Sequence, residues 1–163
     1  MITKAGVMTN PGKLAVEEVN IRERLVEDVI VDIHYSGIST GTEKLFWNGK
    51  MPPFPGMGYP LVPGYESTGE VVSAHKSSGL KPGDFVFVPG ADCFANPVRS
   101  LFGGAAKRIA SPAKRLIKID PGMGANGALF ALAATARHAI AGFGNKMPEV
   151  IVGHGVLGRL LAR

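Results

Sequence analysis

Pro63-Gly64-Tyr65-Glu66-Ser67-Thr68-Gly69-Glu70-Val71-Val72 turns on a proline-glycine pair and then runs into two β-branched residues. Such a pair punctuates the backbone sharply, and the run that follows reads as a strand over Thr68 to Val72. The pattern recurs on both sides. Leu14-Ala15-Val16 with Val19 and Ile21, Val29 to Tyr35, Phe85 to Val88, and Leu116 to Ile119 also read as strands. Their separators are Asn10-Pro11-Gly12, Asn48-Gly49, Pro82-Gly83-Asp84 and Pro89-Gly90, all turn formers. Short strands of this number and spacing predict a mainly β fold with short helices, arranged as a sandwich or barrel.

With 163 residues, 45% of them hydrophobic, the chain closes one good core and is too short for two complete domains of ordinary size. The net charge of +5 is scattered, with no basic run interleaved with aromatics, so nucleic acid is not the expected partner. Cys93 stands alone, which excludes an internal disulfide framework and a multi-cysteine zinc site and fits a reducing cytoplasm. The N-terminus has no secretory pattern, and the weakly polar stretch Ala125 to Ala136 is shorter than the roughly 18 residues of a membrane span. We therefore expect a soluble cytoplasmic protein.

Thr40 to Asn48 predicts a short helix, with Thr40 as N-cap, Glu43 three residues on as in a capping box, and Gly49 as its end. A Gly/Pro-rich loop, Met51 to Gly64, then presents Phe54, Met57 and Tyr59 at positions that no regular face would bury. Beyond Pro121 the character changes. Gly127 to Ala141 is alanine-rich and reads as a buried helix stopped by Gly142 to Gly144. Glu149 to Val152 reads as a strand, followed by Gly153-His154-Gly155-Val156-Leu157-Gly158 and a helical pattern over Leu157 to Ala162.

Strand, glycine turn and helix in that order make the setting in which a backbone approaches a diphosphate at a helix N-terminus. Gly153 would make the turn, Gly155 would admit the diphosphate, and Gly158 would let the helix pack closely, with Val156 and Leu157 in the same loop. The acidic residue that grips a ribose about 20 residues further on has no place before Arg163. We expect a truncated nucleotide-binding domain here.

Several blocks in order resemble the medium-chain dehydrogenase/reductase family: Tyr35-Ser36-Gly37-Ile38, Gly41-Thr42-Glu43, Pro63 to Gly69, Lys81-Pro82-Gly83-Asp84 and the glycine turn. The resemblance implies a GroES-like barrel followed by a Rossmann domain, with substrate in the cleft between them. It divides the chain into a substrate domain over 1–124, a bridging helix and linker over 125–148, and the opening strand-turn-helix of a Rossmann domain over 149–163. The family's zinc-dependent members carry ligands where this sequence has Ser39 or Thr40, Tyr65 and, near it in alignment, Ala131. None of these is a zinc ligand of choice, and the resemblance is to the zinc-independent branch.

Ile38 to Glu43, Met51 to Pro60, Phe87 to Ala91 and Leu101-Phe102-Gly103-Gly104-Ala105-Ala106 are similar to the members of that branch that oxidise the 1-hydroxyethyl group of a (bacterio)chlorophyllide to acetyl with NAD. That likeness implies a tetrapyrrole substrate, oligomerisation through the missing domain, and Thr42 as the relay hydroxyl. Tyr65, in a metal ligand's place, would turn its phenol toward the cleft. Ser39, Thr40, Glu43 and Glu66 would complete a hydrogen-bond chain, although Thr40 and Glu43 also suit plain helix capping. Phe46, Trp47, Met51, Phe54, Met57 and Tyr59 would line a face for the flat macrocycle, or else fill the core. A zinc-free quinone or enone reductase, and a non-catalytic tetrapyrrole-binding module, are the rival readings.

Overall fold

The computed structural model describes every residue except 101, 145, 147 and 163, so Leu101 of the quoted blocks and the terminal Arg163 lie outside the described residues. The chain divides into two compact units, Met1–Ala128 and Leu129–Arg163.

The first unit is mainly β with short helices, as expected. β1 (Ile2–Asn10) and β2 (Lys13–Asn20) form an antiparallel hairpin. β3 (Asp28–Ser36), β4 (Ser67–Ser73), β5 (Phe85–Val88), β6 (Arg108–Pro112) and β7 (Ile117–Lys118) form an antiparallel sheet in the order β6-β3-β4-β5-β7. Single bridges, Ala5 with Ala106, Met8 with Leu61 and Ile21 with Phe94, tie the hairpin to the rest of the barrel. Between the sheets Val7, Val29, Val31, Val71, Val86, Val88 and Ile109 are buried in one core. β-branched residues dominate it because their stiff side chains suit a pleated surface.

The strands expected within 14–21, 29–35, 68–72, 85–88 and 116–119 all form, while β1 and β6 were not anticipated. The short helix forms as α1 (Thr42–Trp47) and stops at Gly49, whose φ of +64° favours glycine. The capping box does not form. Gly41 is the N-cap, no side chain caps the helix, and the Glu43 amide donates instead to the Ser39 carbonyl at 3.0 Å. Thr40 therefore has no capping role, and the Glu43 carboxyl turns inward.

The single buried helix read over Gly127 to Ala141 needs correction. A 3-10 segment, Pro121–Leu129, kinks at Gly124, and α2 (Phe130–Gly142) begins only after it. Of the α2 residues only Ala136 is buried. Alanines make a helix by propensity alone, but burial needs a facing surface. The strand read over Glu149 to Val152 does not form either, since no described strand pairs with it, and Val150 and Val152 are 80% and 98% exposed. The helical tail does form, as α3 (Val156–Leu161), with Gly155 as its N-cap.

Candidate functional site

Three segments of the first unit converge on a pair of hydroxyls. α1 supplies Thr42 at its first position. The turn before β4 supplies Tyr65, immediately after Gly64, whose φ is +103° and whose added Cβ would lie 2.6 Å from the Ala105 amide. Glycine at 64 is thus what lets the chain turn here. The Tyr65 hydroxyl donates to Thr42 Oγ1 at 3.2 Å, and the Tyr65 ring tilts against Phe102 with centroids 5.2 Å apart. Of the hydroxyls singled out in the sequence as a relay, these two are brought into direct contact with each other.

Glu43 and Glu66, next in sequence to Thr42 and Tyr65, are buried, 6% and 7% exposed. Burial, with the nearby Glu66 charge adding to it, pushes the Glu43 carboxyl from an ordinary 4.5 up to about 7, against backbone hydrogen bonds from Ser39 and Gly64. Burial also raises Glu66. Glu43 Oε2 has no hydrogen-bond partner among the described residues. An added Cβ at Gly37 would lie 2.9 Å from Glu66 Oε2, so the absence of a side chain there makes room for this carboxyl.

Glu43 also borders a cleft of about 540 Å³, with Met8, Leu14, Ile38, Trp47, Pro63 and Ala105 among its apolar walls and Ser39 and Thr40 at its edge. Thr42 and Tyr65 do not line it. The two carboxyls expected to join one hydrogen-bond chain with the hydroxyls have no hydrogen bond to them among those described.

The apolar residues expected to line a substrate face are placed differently. Phe46 is 1% exposed and forms a second small core with Met8 and Leu61, against which Met51, Phe54, Met57, Tyr59 and Phe102 pack. The Tyr59 hydroxyl is used inside this cluster, donating to the Phe46 carbonyl. Phe46 therefore offers no face to a ligand. Trp47 lies apart from the cluster, half-exposed, and borders the cleft. The aromatic beside the hydroxyl pair that sequence reasoning missed is Phe102, which stood out only as one letter of a glycine-rich block.

Titration of Glu43 gives a signed expectation. Its folded form holds a proton between pH 4.5 and about 7 that the unfolded chain releases, so stability falls as pH rises through that window. The loss is up to about 3 kcal/mol. Urea unfolding at stepped pH should show the decline, and Glu43→Gln should flatten it; an unchanged slope in the variant would refute the assignment.

In the second unit, Gly153 has a φ of +94°, and a Cβ on Gly158 would collide with the Gly153 carbonyl oxygen and lie 3.6 Å from Ile151. The turn is one that glycines at 153 and 158 allow, with His154, Gly155, Val156 and Leu157 between them. Among the described residues no three His, Cys, Asp or Glu side chains converge as a metal site would require. At the positions matched to zinc ligands stand hydroxyls, a phenol and the Ala131 methyl. No described helix is long and apolar enough to cross a membrane. Arg108 is engaged by Asp32 at 2.5 and 2.7 Å.

Residues 26–121 match the alcohol dehydrogenase GroES-like domain. Two curated relatives are named 2-desacetyl-2-hydroxyethyl bacteriochlorophyllide A dehydrogenase. That of Rhodobacter capsulatus is 60% identical over 163 residues, which cover 100% of this chain and 52% of the relative. That of Cereibacter sphaeroides is 58% identical over 167 residues, with the same shares covered. The chain thus spans about half the length of these relatives. Among solved structures, a protein of Sinorhizobium meliloti 1021 named as a zinc-binding dehydrogenase and bound to NADP aligns with a TM-score of 0.77 at 25% identity. The alignment covers 99% of this chain and 52% of that one.

Proposed function

Because the chain belongs to the alcohol dehydrogenase GroES-like domain family, we propose that it is the substrate-side part of an NAD-dependent dehydrogenase that oxidises the 1-hydroxyethyl group of a (bacterio)chlorophyllide to acetyl without zinc. Identity of 60% sustained from end to end with a relative so named supports the substrate. The observation that carries the chemistry is the Tyr65 to Thr42 hydroxyl pair. It stands where the zinc-dependent branch has a metal ligand beside a relay hydroxyl.

Oxidising a secondary alcohol removes a hydride from carbon and a proton from oxygen. Bound NAD supplies the hydride acceptor, and Gly153, Gly155, Val156, Leu157 and Gly158 would hold its diphosphate on bare backbone. The chain's own task is the oxygen. Tyr65 spends its proton on Thr42 Oγ1, which leaves the Thr42 hydroxyl hydrogen and the phenolic oxygen lone pairs to receive and orient the substrate hydroxyl. That hydroxyl gives its proton to the phenolic oxygen as Tyr65 passes its own to Thr42 Oγ1 and Thr42 releases one to water, so the pair ends as it began. Ser39, Glu43 and Glu66 shape the ground behind it, with Glu43 and Glu66 held toward their neutral forms.

In the longer protein, Tyr65→Phe and Thr42→Val should each lower kcat for NAD-dependent oxidation of 2-desacetyl-2-hydroxyethyl bacteriochlorophyllide by about a hundredfold. The change in KM should be small. Full turnover in both variants would remove the hydroxyl pair from the mechanism. Quinone or enone reduction in place of chlorophyllide oxidation would assign the protein to another branch of the family, and pigment binding without turnover would make it a binding module.

A further inference from the structure

The hydroxyl pair is the last link of a closed ring of contacts. Thr42 and Phe46 stand four residues apart on α1 and so share one helix face. Phe46, 1% exposed, packs its ring against Phe102 with centroids 5.8 Å apart. Phe102 in turn meets the Tyr65 ring at 5.2 Å, and Tyr65 donates back to Thr42. Each member is thereby held from two sides. The tilts, 52° for the first ring pair and 58° for the second, lie between stacked and perpendicular, an arrangement that directs a ring edge toward a neighbouring face.

Phe102 is itself anchored through its backbone. Its carbonyl accepts the Ala91 amide at 2.7 Å, and a Cβ on Gly90 would lie 2.7 Å from that same oxygen. Gly103, with a φ of +60°, follows it, and a Cβ there would collide with the Ala91 carbonyl oxygen. The backbone around Phe102 cannot shift without moving these close neighbours. The phenyl ring is therefore a fixed wall, and the tyrosine that leans on it has its hydroxyl aimed by that wall.

We propose that Phe102 is a positioning residue for the Tyr65 hydroxyl, with Phe46 as its anchor in the core. The inference rests on the reading of Tyr65 and Thr42 given above, in so far as it assigns that positioning to catalysis. Phe102 touches the phenol ring and acts on the reaction through it. Leucine of similar bulk fills the space but offers no flat wall, so the phenol swings and the hydroxyl contact with Thr42 is lost.

The test separates positioning from chemistry. In the 163-residue chain, a double-mutant cycle of Tyr65→Phe and Thr42→Val by urea unfolding measures the coupling between the two hydroxyls. Coupling of about threefold to tenfold in the unfolding equilibrium is expected for one hydrogen bond. With Phe102→Leu as the background it should fall to about onefold, and with Phe102→Tyr it should return. Coupling that persists with leucine overturns the proposal. In the longer protein, Phe102→Leu should lower kcat at least tenfold with KM little changed, and Phe102→Tyr should restore it. Undiminished kcat with leucine, where Tyr65→Phe is impaired, likewise overturns it. If Tyr65→Phe itself turns over normally, the hydroxyl-pair mechanism falls, while loss of coupling with leucine still supports the geometric role of Phe102.

Discussion

Gly69→Ala should leave the chain unfolded. Gly69 lies in β4, the middle strand of the five, opposite Ile33 where the pairing of β3 and β4 shifts register. A Cβ there would collide with the Asp32 carbonyl oxygen and lie 2.8 Å from its carbon and 2.9 Å from Ile33 Cα. All three atoms are backbone, so no side chain can swing aside; β3 would have to leave β4. The cost is on the order of 4 kcal/mol or more, a large part of the roughly 5–15 kcal/mol that holds a domain together. Gly41→Ala is the matched control. Nothing lies within 4 Å of its added Cβ, and losing glycine at the N-cap should cost no more than about 1 kcal/mol. Urea unfolding of both variants decides the matter, and a cooperative, near-native transition for Gly69→Ala would contradict the β3 to β4 geometry.

Asp28→Ala should be nearly as damaging. The carboxylate is fully buried at the start of β3, where it accepts from Arg22 Nη1 at 2.7 Å, Arg22 Nη2 at 3.3 Å and the Leu25 amide at 2.8 Å. Burial opposes its charge, but the Arg22 hydrogen bonds, the Leu25 amide and the charges of Arg22 and Arg24 together hold it below the ordinary 3.8. Removing it takes from Arg22 its charged partner, leaving only the Asp92 and Glu23 carbonyls, and leaves the Leu25 amide without an acceptor, at a cost of about 2–4 kcal/mol. Arg22→Leu combined with Asp28→Leu should cost less than Asp28→Ala alone, because no charge is then left unpaired. The pH dependence runs opposite to that of Glu43. A depressed carboxyl stabilises above 3.8, and that contribution is lost as pH falls below it through the folded value. Equal thermal midpoints for the wild type and Asp28→Ala at neutral pH would dismiss the pair as a stabiliser.

The sheet was legible where β-branched residues cluster between turn formers, as in Phe85 to Val88. It was illegible where small residues do the packing. β1 buries Thr3, Ala5 and Val7 on one face, and β6 buries Ile109 and Ala110, patterns too thin to stand out from a loop. Family likeness singled out Thr42 and Tyr65, but only the folded chain sets them 3.2 Å apart across 23 residues. Glu43 read equally well as a cap or as part of a site, because nothing local distinguishes a solvated glutamate from a buried one. Phe46 and Tyr59 read equally well as a ligand face or as core, because neither a six-residue helix nor a Gly/Pro-rich loop has enough periodicity to reveal a second core. The Glu149 to Val152 reading failed for a simpler reason: β propensity is local, but a strand exists only with a neighbour to bond to.

That last segment has a practical consequence. Its amides and carbonyls have no described ladder, and Val150 and Val152 stand in water on either side of Ile151. A short valine-rich stretch of this kind is an adhesive edge, open to a like stretch on another molecule. Concentrated solutions of the 163-residue chain should therefore self-associate through this segment first, and a lysine at 152 is the least invasive way to keep the molecules apart.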